Sequence, residues 1–586
     1  MSEEVRDTSL RWLSRVMFVV AGIAAFSLVA QYGFYLSEEA LRLLSMVDLV
    51  IVGVFLLDAV TRFAMSRRKW AYLRARWPSL GIVALIVVQL LLVSVLRDRG
   101  GLPAFMSTPG VFSLTKGYIV VLQVYLVLLI IGEAVRANRS IASTRIAPAR
   151  TVISSFLLII VIGALLLATP RATGGAGLDP IDALFTSTSA VCVTGLIVVD
   201  TGSYFSRFGH AIILTLIQIG GLGLITFATF FATVLRGGMG VRESLVLRGM
   251  MTFETIGRIG RALRYVIGIT FAMEVVGAVL LFLTTRSDFG TFVEAARASV
   301  FHSVSAFCNA GFSLHATSFE RYVSNVPVNL VMTSLIVLGG LGFPVLMSVV
   351  HNYPILGRAE SARRRWPLHV KLVVVMTAAL LVFGTLSFLV LEWDGTLAGK
   401  PLGTKLLASY FGSVTARTAG FNTVRTASLA LPTLFLLAAL MFIGGSPGGT
   451  AGGVKTVTVG LALASIRSMF IGTGRVEFFK RLVPDWLVRE ALAVVAMGIL
   501  VVFGGTLVLL VAEDLTLSEV LFEVVSAFGT VGLSTGITPS LSAAGKLSLI
   551  LIMIAGRVGP LTLALALAQR HAKPLYDYPE ERVIIG

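Results

Sequence analysis

Long apolar runs separated by short polar stretches extend along most of this chain. A run of about 20 apolar residues is long enough to cross a lipid bilayer as a helix. Twelve candidate spans follow from this pattern. Four are N-terminal, near 13–34, 46–64, 79–97 and 117–135, and eight follow near 151–169, 209–235, 263–284, 327–350, 370–391, 431–465, 487–512 and 546–569. The pattern predicts an all-α polytopic membrane protein.

The composition agrees with this prediction. The chain is 56% hydrophobic and 13% charged, whereas a soluble domain carries about 25% charged residues. The two cysteines, Cys192 and Cys308, exclude a disulfide framework or a cysteine-rich metal site, and we interpret them as small apolar residues. The six histidines lack paired metal-ligand spacing, and no nucleophile motif is present. We therefore do not expect an enzyme.

The net charge of +17 comes from lysines and arginines that concentrate in alternate loops. These basic clusters lie within 67–76, 136–150, 236–264, 358–371 and 475–489. Because cytoplasmic loops carry an excess of lysine and arginine, we expect both termini in the cytoplasm and a multi-pass protein of the inner (plasma) membrane. Some clusters are also candidates for docking a cytosolic partner. The charges do not follow a nucleic-acid footprint, so we expect no nucleic-acid partner.

A short motif recurs four times after residue 150, each time between two predicted spans. The copies are STSAVCVTGLIV, SVSAFCNAGFSL, GSVTARTAGFNT and VVSAFGTVGLST, which place glycine at 195, 311, 420 and 532. These glycines are 116, 109 and 112 residues apart. A short helical segment precedes each motif. We therefore predict that each repeat consists of a span, a half-helix, a glycine loop and a second span, and that the four repeats surround one common axis.

The four loops are too apolar for solvent and too short to cross a membrane. Non-helical backbone survives at membrane depth only where it is buried in protein or lines a water-filled path. Four such loops would present a ring of carbonyl groups that can replace the hydration shell of a cation. The C-terminal ends of the half-helices would favour a cation at the same place. For any single motif, a helix-packing glycine is an equal alternative, but four motifs in register favour a pore.

The stretch IGGSPGGTAGGVKT, residues 443–456, ends in Lys-Thr like a phosphate-binding loop. A Walker A loop requires G-x-x-x-x-G-K-[ST], but Val454 separates Gly453 from Lys455. Apolar segments flank the stretch, so it interrupts a predicted membrane helix, as glycine and proline do. Its many accessible backbone states suit a segment that moves. A flexible kink without a gating role is the alternative.

The motifs VTGL, CNAGF, TAGF and TVGLSTG resemble the four pore loops of the Trk/Ktr/HKT superfamily of potassium transporters. QIGGLGLITF (218–227), GRVGPLT (556–562) and YPEERVIIG (578–586) resemble further segments of that family. The resemblance covers about 151–586 and implies a single-chain, pseudo-tetrameric pore that passes K⁺ inward. It assigns the K⁺ selectivity filter to Val193, Thr194, Gly195, Asn309, Ala310, Gly311, Thr418, Ala419, Gly420, Thr530, Val531 and Gly532.

The resemblance further implies an intramembrane gate below the filter. Its residues are Gly444, Gly445, Ser446, Pro447, Gly448, Gly449, Thr450, Gly452 and Gly453, with Lys455 and Arg557. Ser446 and Thr450 would turn hydroxyls toward the pore. A serine in the first loop of this family accompanies sodium selectivity, so Gly195 matches the potassium type.

The partners implied by the resemblance are a second copy of the chain, in a homodimer, and a cytosolic ring of RCK-type nucleotide-binding regulatory subunits. The chain has no G-x-G-x-x-G unit of its own. We therefore expect ATP, ADP or a dinucleotide only on the partner, and no organic cofactor here.

Five charged residues fall in unlikely places for a membrane protein. Arg557 would set an electrostatic barrier at the gate or bond carbonyls freed by a broken helix. Lys455 has either a pore role or a snorkelling role. Arg417 is expected to point behind the filter, because a cation in the path would repel potassium. Asp182 and Glu523 would cap half-helices or attract cations at the mouth, and we prefer capping for Asp182.

The predicted domain organisation places a separate bundle before the four repeats. The boundaries are 1–150 for a four-helix bundle, 151–262, 263–369, 370–486 and 487–572 for the repeats, and 573–586 for a cytoplasmic tail. The bundle loosely resembles a voltage sensor, but its fourth candidate helix has no arginine at every third position. A voltage sensor needs such gating charges, so we expect a peripheral packing bundle and assign it no function.

An ion-coupled secondary transporter, a Na⁺ or H⁺ symporter with a midplane cation site, is the alternative function. Such transporters usually combine broken helices with inverted repeats. The four motifs here all lie on the outer side, so the repeats run in the same direction. This disfavours the symporter.

Overall fold

The computed structural model describes residues 148–175, 177–223, 259–352 and 366–559, together with 33–65, 69 and scattered positions between 16 and 31. The spans predicted near 79–97 and 117–135 and the tail at 573–586 lie outside these residues. The spans predicted to end at 235 and 569 are described as far as 223 and 559. In the N-terminal region one long helix runs over Glu38–Met65.

Three kinds of helix follow one another four times in the described residues from 148 onward. The first spans are Pro148–Leu167, Ile259–Thr285, Leu368–Leu391 and Asp485–Ala512. The half-helices are Pro180–Val191, Phe292–Phe307, Leu402–Thr415 and Leu517–Gly529. The second spans are Arg207–Gly221, Val326–Leu341, Leu431–Phe442 and Ala543–Val558. We refer to each set of three, with its glycine loop, as units one to four.

The remaining elements connect these helices. Short helices cover Pro170–Thr173 and Thr201–Tyr204, and two further helices, Phe343–Asn352 and Thr456–Ile471, continue the second spans of units two and three. Single 3-10 turns lie at Arg286–Asp288, Glu320–Tyr322, Thr426–Ser428 and Thr538–Ser540. A hairpin of two-residue strands, Glu477–Phe478 and Arg481–Leu482, joins units three and four. The described residues are thus predominantly helical, as the sequence predicts.

Among the described residues, three helices are long and apolar enough to cross a membrane: Arg264–Asp288, Leu368–Leu391 and Asp485–Ala512. A fourth span becomes possible if Val326–Leu341 and Phe343–Val349 count as one, although they meet at 102°. The continuous span predicted for 327–350 is therefore wrong. Gly342 between the two helices has φ +90°, a left-handed backbone that ends a helix and that glycine adopts at little cost.

Each half-helix packs between the two spans of its own unit. Gly163, Gly277 and Gly384 in the first spans leave no room for a Cβ, because a half-helix serine and a second-span leucine fill the space. The serines are Ser187, Ser303 and Ser413, and each donates to a first-span carbonyl, at 2.7 Å to Ile160, 2.6 Å to Glu274 and 2.9 Å to Leu381. Small residues let membrane helices approach closely. Gly505 meets Val524 and Ile552 in unit four.

The start of the first half-helix corrects a prediction. Asp179, not Asp182, is the N-cap, and its carboxylate accepts from the amide of Ile181 at 2.9 Å. Asp182 lies in the first turn and pairs with Lys546 of unit four at 2.5 Å. Pro180 at the first helical position explains the choice, because proline there needs no backbone donor. Asp182 therefore joins the start of the unit-one half-helix to the start of the second span of unit four.

Candidate functional site

The four glycine loops share one unusual backbone conformation. In each loop the glycine and the residue two positions before it both have positive φ. The pairs are Val193 (58°) and Gly195 (89°), Asn309 (60°) and Gly311 (73°), Thr418 (71°) and Gly420 (77°), and Thr530 (50°) and Gly532 (93°). Positive φ is rare for β-branched residues and persists only where surrounding structure enforces it. Because the same pair of positive φ values recurs in all four loops, the loops share this backbone conformation.

The glycines of these loops meet in a closed ring. A Cβ built on Gly195 would lie 2.9 Å from the Cα of Gly311, and one on Gly311 would lie 3.1 Å from the Cα of Gly420. A Cβ on Gly420 would lie 3.2 Å from the Cα of Gly532, and one on Gly532 would lie 3.0 Å from the Cα of Gly195. The ring order is therefore 195, 311, 420, 532. The positive φ values and the short contacts mean that any side chain at these four positions would be strained.

Carbonyl oxygens line the same ring. The carbonyl oxygens of Ala310, Ala419, Val531 and Thr194 face Gly195, Gly311, Gly420 and Gly532 respectively, each across the boundary to the next unit. Since the half-helices end at Val191, Phe307, Thr415 and Gly529 just before the loops, the negative ends of their dipoles also lie here. The arrangement can hold a cation without any charged side chain.

Hydroxyl groups at the ends of the half-helices hold the loops in place. Ser189 accepts from the amide of Gly195 at 3.0 Å and donates to the carbonyl of Leu196 at 2.8 Å. Ser305 donates to Phe312 at 2.8 Å, Thr415 donates to Phe421 at 2.5 Å, and Ser526 accepts from Gly532 at 3.1 Å. The sequence analysis missed these hydroxyls, although a serine or threonine five or six residues before each glycine is a readable signal.

The polar side chains of the loops make few bonds to the protein. Thr194 and Thr530 are buried, and their hydroxyls have no partner among the described residues. The Asn309 amide lies 3.4 Å from the hydroxyl of Thr418; rotated by 180°, it donates to the carbonyls of Ala306 at 2.9 Å and Ile336 at 3.1 Å.

The glycine-rich segment 443–453 forms a compact loop. Ile443 pairs with Val454 in a parallel bridge, and the amide of Gly444 donates to the carbonyl of Val454 at 2.9 Å. The ammonium of Lys455 donates to the carbonyl of Ala451 at 2.6 Å. The ammonium group of Lys455 therefore bonds within the segment and does not extend toward the membrane surface, as the snorkelling alternative would require.

The segment also fills the break in the second span of unit two. The amides of Ser446 and Thr450 donate to the carbonyls of Gly340 at 3.0 Å and Gly339 at 3.2 Å. The amide of Phe343 donates to the carbonyl of Gly448 at 3.0 Å. These bonds satisfy the polar backbone of both broken helices, as burial in a membrane protein requires.

The other end of the segment lies against the end of the unit-four half-helix and the start of its glycine loop. A Cβ on Gly453 would lie 3.3 Å from the Cα of Gly529, and one on Gly452 would overlap the side chain of Thr530. The predicted pore-facing hydroxyls are wrong, however. Ser446 bonds the hydroxyl of Thr456 at 3.1 Å, and Thr450 donates to the carbonyl of Phe307 at 3.3 Å. Both side chains are buried. Because a buried hydroxyl needs a partner, each one bonds inside the protein and does not face a pore.

Arg557 connects the segment to unit one. Its guanidinium donates to the carbonyl of Thr450 in the segment and to the carbonyl of Gly220 at the end of the second span of unit one. It follows Gly556, which lies against the end of its own half-helix as Gly220 and Gly339 do in units one and two. Arg557 thus bonds carbonyls freed by helix breaks, the structural alternative of its two predicted roles.

Arg417 is buried, with 7% of its surface exposed, and points away from the ring. It donates to the carbonyls of Thr377 at 3.3 Å and Gly444 at 3.4 Å. The predicted direction agrees, but its bonds reach the glycine-rich segment and a first span, not the filter loops. Cys192 and Cys308 are buried and free of a disulfide.

Glu523 neither caps its half-helix nor lies at the mouth. It occupies the interior of Leu517–Gly529 with 0% exposure, and Thr516 caps that helix with Glu519 in a capping box. The carboxylate of Glu523 accepts from the hydroxyl of Thr538, beyond the glycine loop.

The fold and the site define a helical membrane protein in which four like units meet at one carbonyl-lined ring. Comparison with known proteins agrees with this class. The sequence model of the TrkH family, described as cation transport proteins, matches residues 119–576. This chain belongs to that family. The match begins before residue 151, where the resemblance in the sequence was expected to start.

Individual relatives match over most of their own length. The chain is 37% identical to the Ktr system potassium uptake protein B of Bacillus subtilis over 77% of this chain and 99% of that protein. It is 35% identical to the potassium/sodium uptake protein NtpJ of Enterococcus hirae over 75% of this chain and 98% of that protein. The crystal structure of the potassium transporter TrkH from Vibrio parahaemolyticus matches with a TM-score of 0.62 and 17% identity, over 83% and 96% of the two chains. That likeness shows the shared fold.

Proposed function

We propose that this protein takes up K⁺ across the cell membrane through the carbonyl ring. The observation that carries the proposal is the same left-handed pair of residues in four loops that close on one another. A ring of carbonyl oxygens at fixed spacing replaces the hydration shell of a cation. The relatives from Bacillus subtilis and Enterococcus hirae carry potassium uptake and potassium/sodium uptake in their names.

The filter in this proposal comprises three residues of each loop, 193–195, 309–311, 418–420 and 530–532. K⁺ passes along their carbonyl oxygens. Glycine at all four ring positions keeps the ring open to K⁺, and Gly195 is the position at which this chain matches the potassium type.

The gate in this proposal is the segment 443–453, held by Lys455 and Arg557. In the arrangement described, the segment lies against the start of the unit-four glycine loop, bonds to unit two, and accepts from Arg557, which also donates to Gly220 of unit one. These bonds break together when the segment moves aside, which gives it two discrete positions. Arg557 then combines a latch with an electrostatic barrier to K⁺.

The partners are proposed from the family resemblance, and the orientation from the distribution of lysine and arginine. We propose a homodimer with both termini in the cytoplasm, whose basic loops face a cytosolic RCK-type ring that binds ATP, ADP or a dinucleotide. The repeat boundaries at 151, 263, 370 and 487 are part of the same proposal. The name Ktr system, carried by the relative from Bacillus subtilis, supports a multi-component assembly.

Cation uptake into proteoliposomes tests the function. The purified chain, alone and with a regulatory ring from a relative, is assayed with K⁺, Rb⁺, Na⁺ and Li⁺. We expect uptake of K⁺ and Rb⁺ to exceed that of Na⁺, and Gly195→Ser to weaken the exclusion of Na⁺. Gly174→Ser is the matched control, because Gly174 has φ +70° but open space around it.

Three results would contradict the proposal. Equal uptake of all four cations that ignores Gly195 removes the filter. K⁺ uptake that requires a Na⁺ or H⁺ gradient supports the symporter instead. A loss of selectivity in Gly174→Ser equal to that in Gly195→Ser shows that the effect does not come from the ring.

A further inference from the structure

The half-helices differ at one equivalent position, nine residues before the glycine in units one, two and four. That position holds Thr186, His302 and Glu523. The loop of unit three is one residue shorter. Its bonding hydroxyl, that of Thr415, lies five residues before Gly420, whereas the corresponding serine in each other unit lies six residues before its glycine. The equivalent position there is Gly412. All three side chains are buried, with at most 4% of their surface exposed, so their polar atoms need partners inside the protein.

His302 and Glu523 find their partners in the chain that follows their own glycine loop. The Nε2 atom of His302 accepts from the amide of Leu314 at 3.1 Å and lies 3.2 Å from the hydroxyl of Ser313. The carboxylate of Glu523 accepts from Thr538, whose hydroxyl lies 3.1 Å from that of Ser534. Each half-helix is therefore bonded to the outer end of its own loop.

A second position shows the same division between units. Two residues after the glycine stand Ser313 in unit two and Ser534 in unit four. Each serine hydroxyl accepts from the amide two residues further on, that of His315 at 3.0 Å and that of Gly536 at 2.9 Å. Both outer loops therefore have the same local turn, and both turns carry a bond network that ends on the half-helix.

Units one and three lack this connection. The hydroxyl of Thr186 has no partner among the described residues, and Ile197 takes the place of the serine. Gly412 has no side chain, and the ring of Phe388 occupies the adjacent space. Asn422, in place of the serine, donates to Glu320 of unit two at 2.9 Å. The outer loop of unit three thus leans on unit two.

The ring order places the two connected units opposite each other. Gly195 and Gly420 both neighbour Gly311, and both neighbour Gly532, so units two and four lie across the ring. We propose that His302 and Glu523 are positioning residues that tie the chain beyond two opposite filter loops to the half-helices of those loops, so that this bond supports the filter along one diagonal and not along the other. The expected effect on ion selectivity rests on the proposed function, whereas the hydrogen bonds themselves do not.

Hydrogen exchange of backbone amides tests the bonds without any transport. We expect Glu523→Leu to raise exchange about fivefold over 533–538, the effect of losing one hydrogen bond, and His302→Leu to do so over 312–316. Glu523→Gln keeps an acceptor for Thr538 and should restore the wild-type rate. Thr186→Val is the matched control, since it alters the equivalent position where no bond exists, and exchange over 196–200 should not change. Thr538→Val removes the same bond from the loop side if Glu523→Leu fails to fold.

Uptake by the same variants tests the consequence. Glu523→Leu and His302→Leu should lower the preference for K⁺ over Na⁺ several-fold, while Glu523→Gln and Thr186→Val keep the wild-type ratio. Unchanged exchange in Glu523→Leu and Thr538→Val, or an equal rise in Thr186→Val, overturns the proposal. Faster exchange with an unchanged ion ratio overturns the positioning role. A wild-type protein that passes no cation contradicts the proposed function, and exchange still decides whether the bonds hold the loops.

Discussion

Glycine is used in two different ways in the ring and in the segment 443–453. Each ring glycine has a positive φ, and a Cβ built on it would press against the Cα of the next ring glycine. Backbone conformation and packing therefore both favour glycine at these positions. In the segment only Gly448 and Gly453 have positive φ, and its contacts are mostly hydrogen bonds to breaks in other helices. In the proposed function the ring, packed glycine against glycine, is the fixed part, and the segment, held by hydrogen bonds to other helices, is the part that moves.

A methyl group in the ring should have the largest effect. Gly532→Ala combines a left-handed backbone, which costs about 1–3 kcal/mol for a non-glycine residue, with overlap between the new Cβ and the carbonyl oxygen of Thr194. We expect loss of selective Rb⁺ uptake and a lower Tm. Gly536→Ala is the control, since Gly536 has φ +104° in open space. Equal damage in both variants would show that strain, and not ring closure, is responsible.

Release of the segment should have the next largest effect. Arg557→Ala removes two hydrogen bonds from a charged donor, and each such bond contributes about 1.5–3 kcal/mol. Basal Rb⁺ uptake without a regulatory partner should rise at least about tenfold, while the preference for K⁺ over Na⁺ stays unchanged because the ring is intact. A fall in basal uptake would contradict the latch.

A smaller effect is expected at Lys455. Lys455→Met keeps the length of the side chain but loses the bond to Ala451, which lies within the segment. The segment keeps its bonds to Gly339 and Gly340, so basal uptake should rise only a few-fold. Uptake as high as in Arg557→Ala would show that internal closure, and not the bond to unit one, holds the gate.

The smallest effect concerns pH in the chain that follows the ring glycine of unit two. Burial, and then the charge of Arg321, lower the pKa of His315 to about 4, well below the usual value of about 6.5. The folded state therefore favours neutral His315, and the stability this gives is present above pH 6.5 and is lost as the pH falls toward 4. Thermal stability should drop across that window, and less so in His315→Gln. An identical drop in both proteins would assign it to other groups.

The sequence predicted the membrane fold and the glycine motifs, because spans and repeats depend on local composition and on spacing. It did not predict the break at Gly342, since an apolar run reads as one helix until Gly448 of another unit pairs with its freed backbone. The capping by Asp179 and the directions of Ser446 and Thr450 were likewise missed. Each depends on which partner the tertiary fold brings within hydrogen-bond reach, and that information lies in distant parts of the chain.

The sequence also did not reveal that, among the described residues, the half-helices of units two and four bond the chain beyond their loops, whereas those of units one and three do not. The residues Thr186, His302, Gly412 and Glu523 have no common chemistry, so a motif search does not align them. Their equivalence follows from their spacing to the ring glycine, but the difference between them is visible only in the hydrogen bonds beyond the loop. The glycines that admit the half-helices, such as Gly163 and Gly277, were also hidden among the many glycines of the spans.

The most direct test of the central claim is a crystal structure grown in Rb⁺ or Tl⁺, in which the anomalous signal locates bound cations. We predict a peak on the axis of the ring, coordinated by the carbonyl oxygens of Thr194, Ala310, Ala419 and Val531. The same peak should be lost in Gly532→Ala. Anomalous peaks elsewhere in the protein, with none in the ring, would contradict conduction through these four loops.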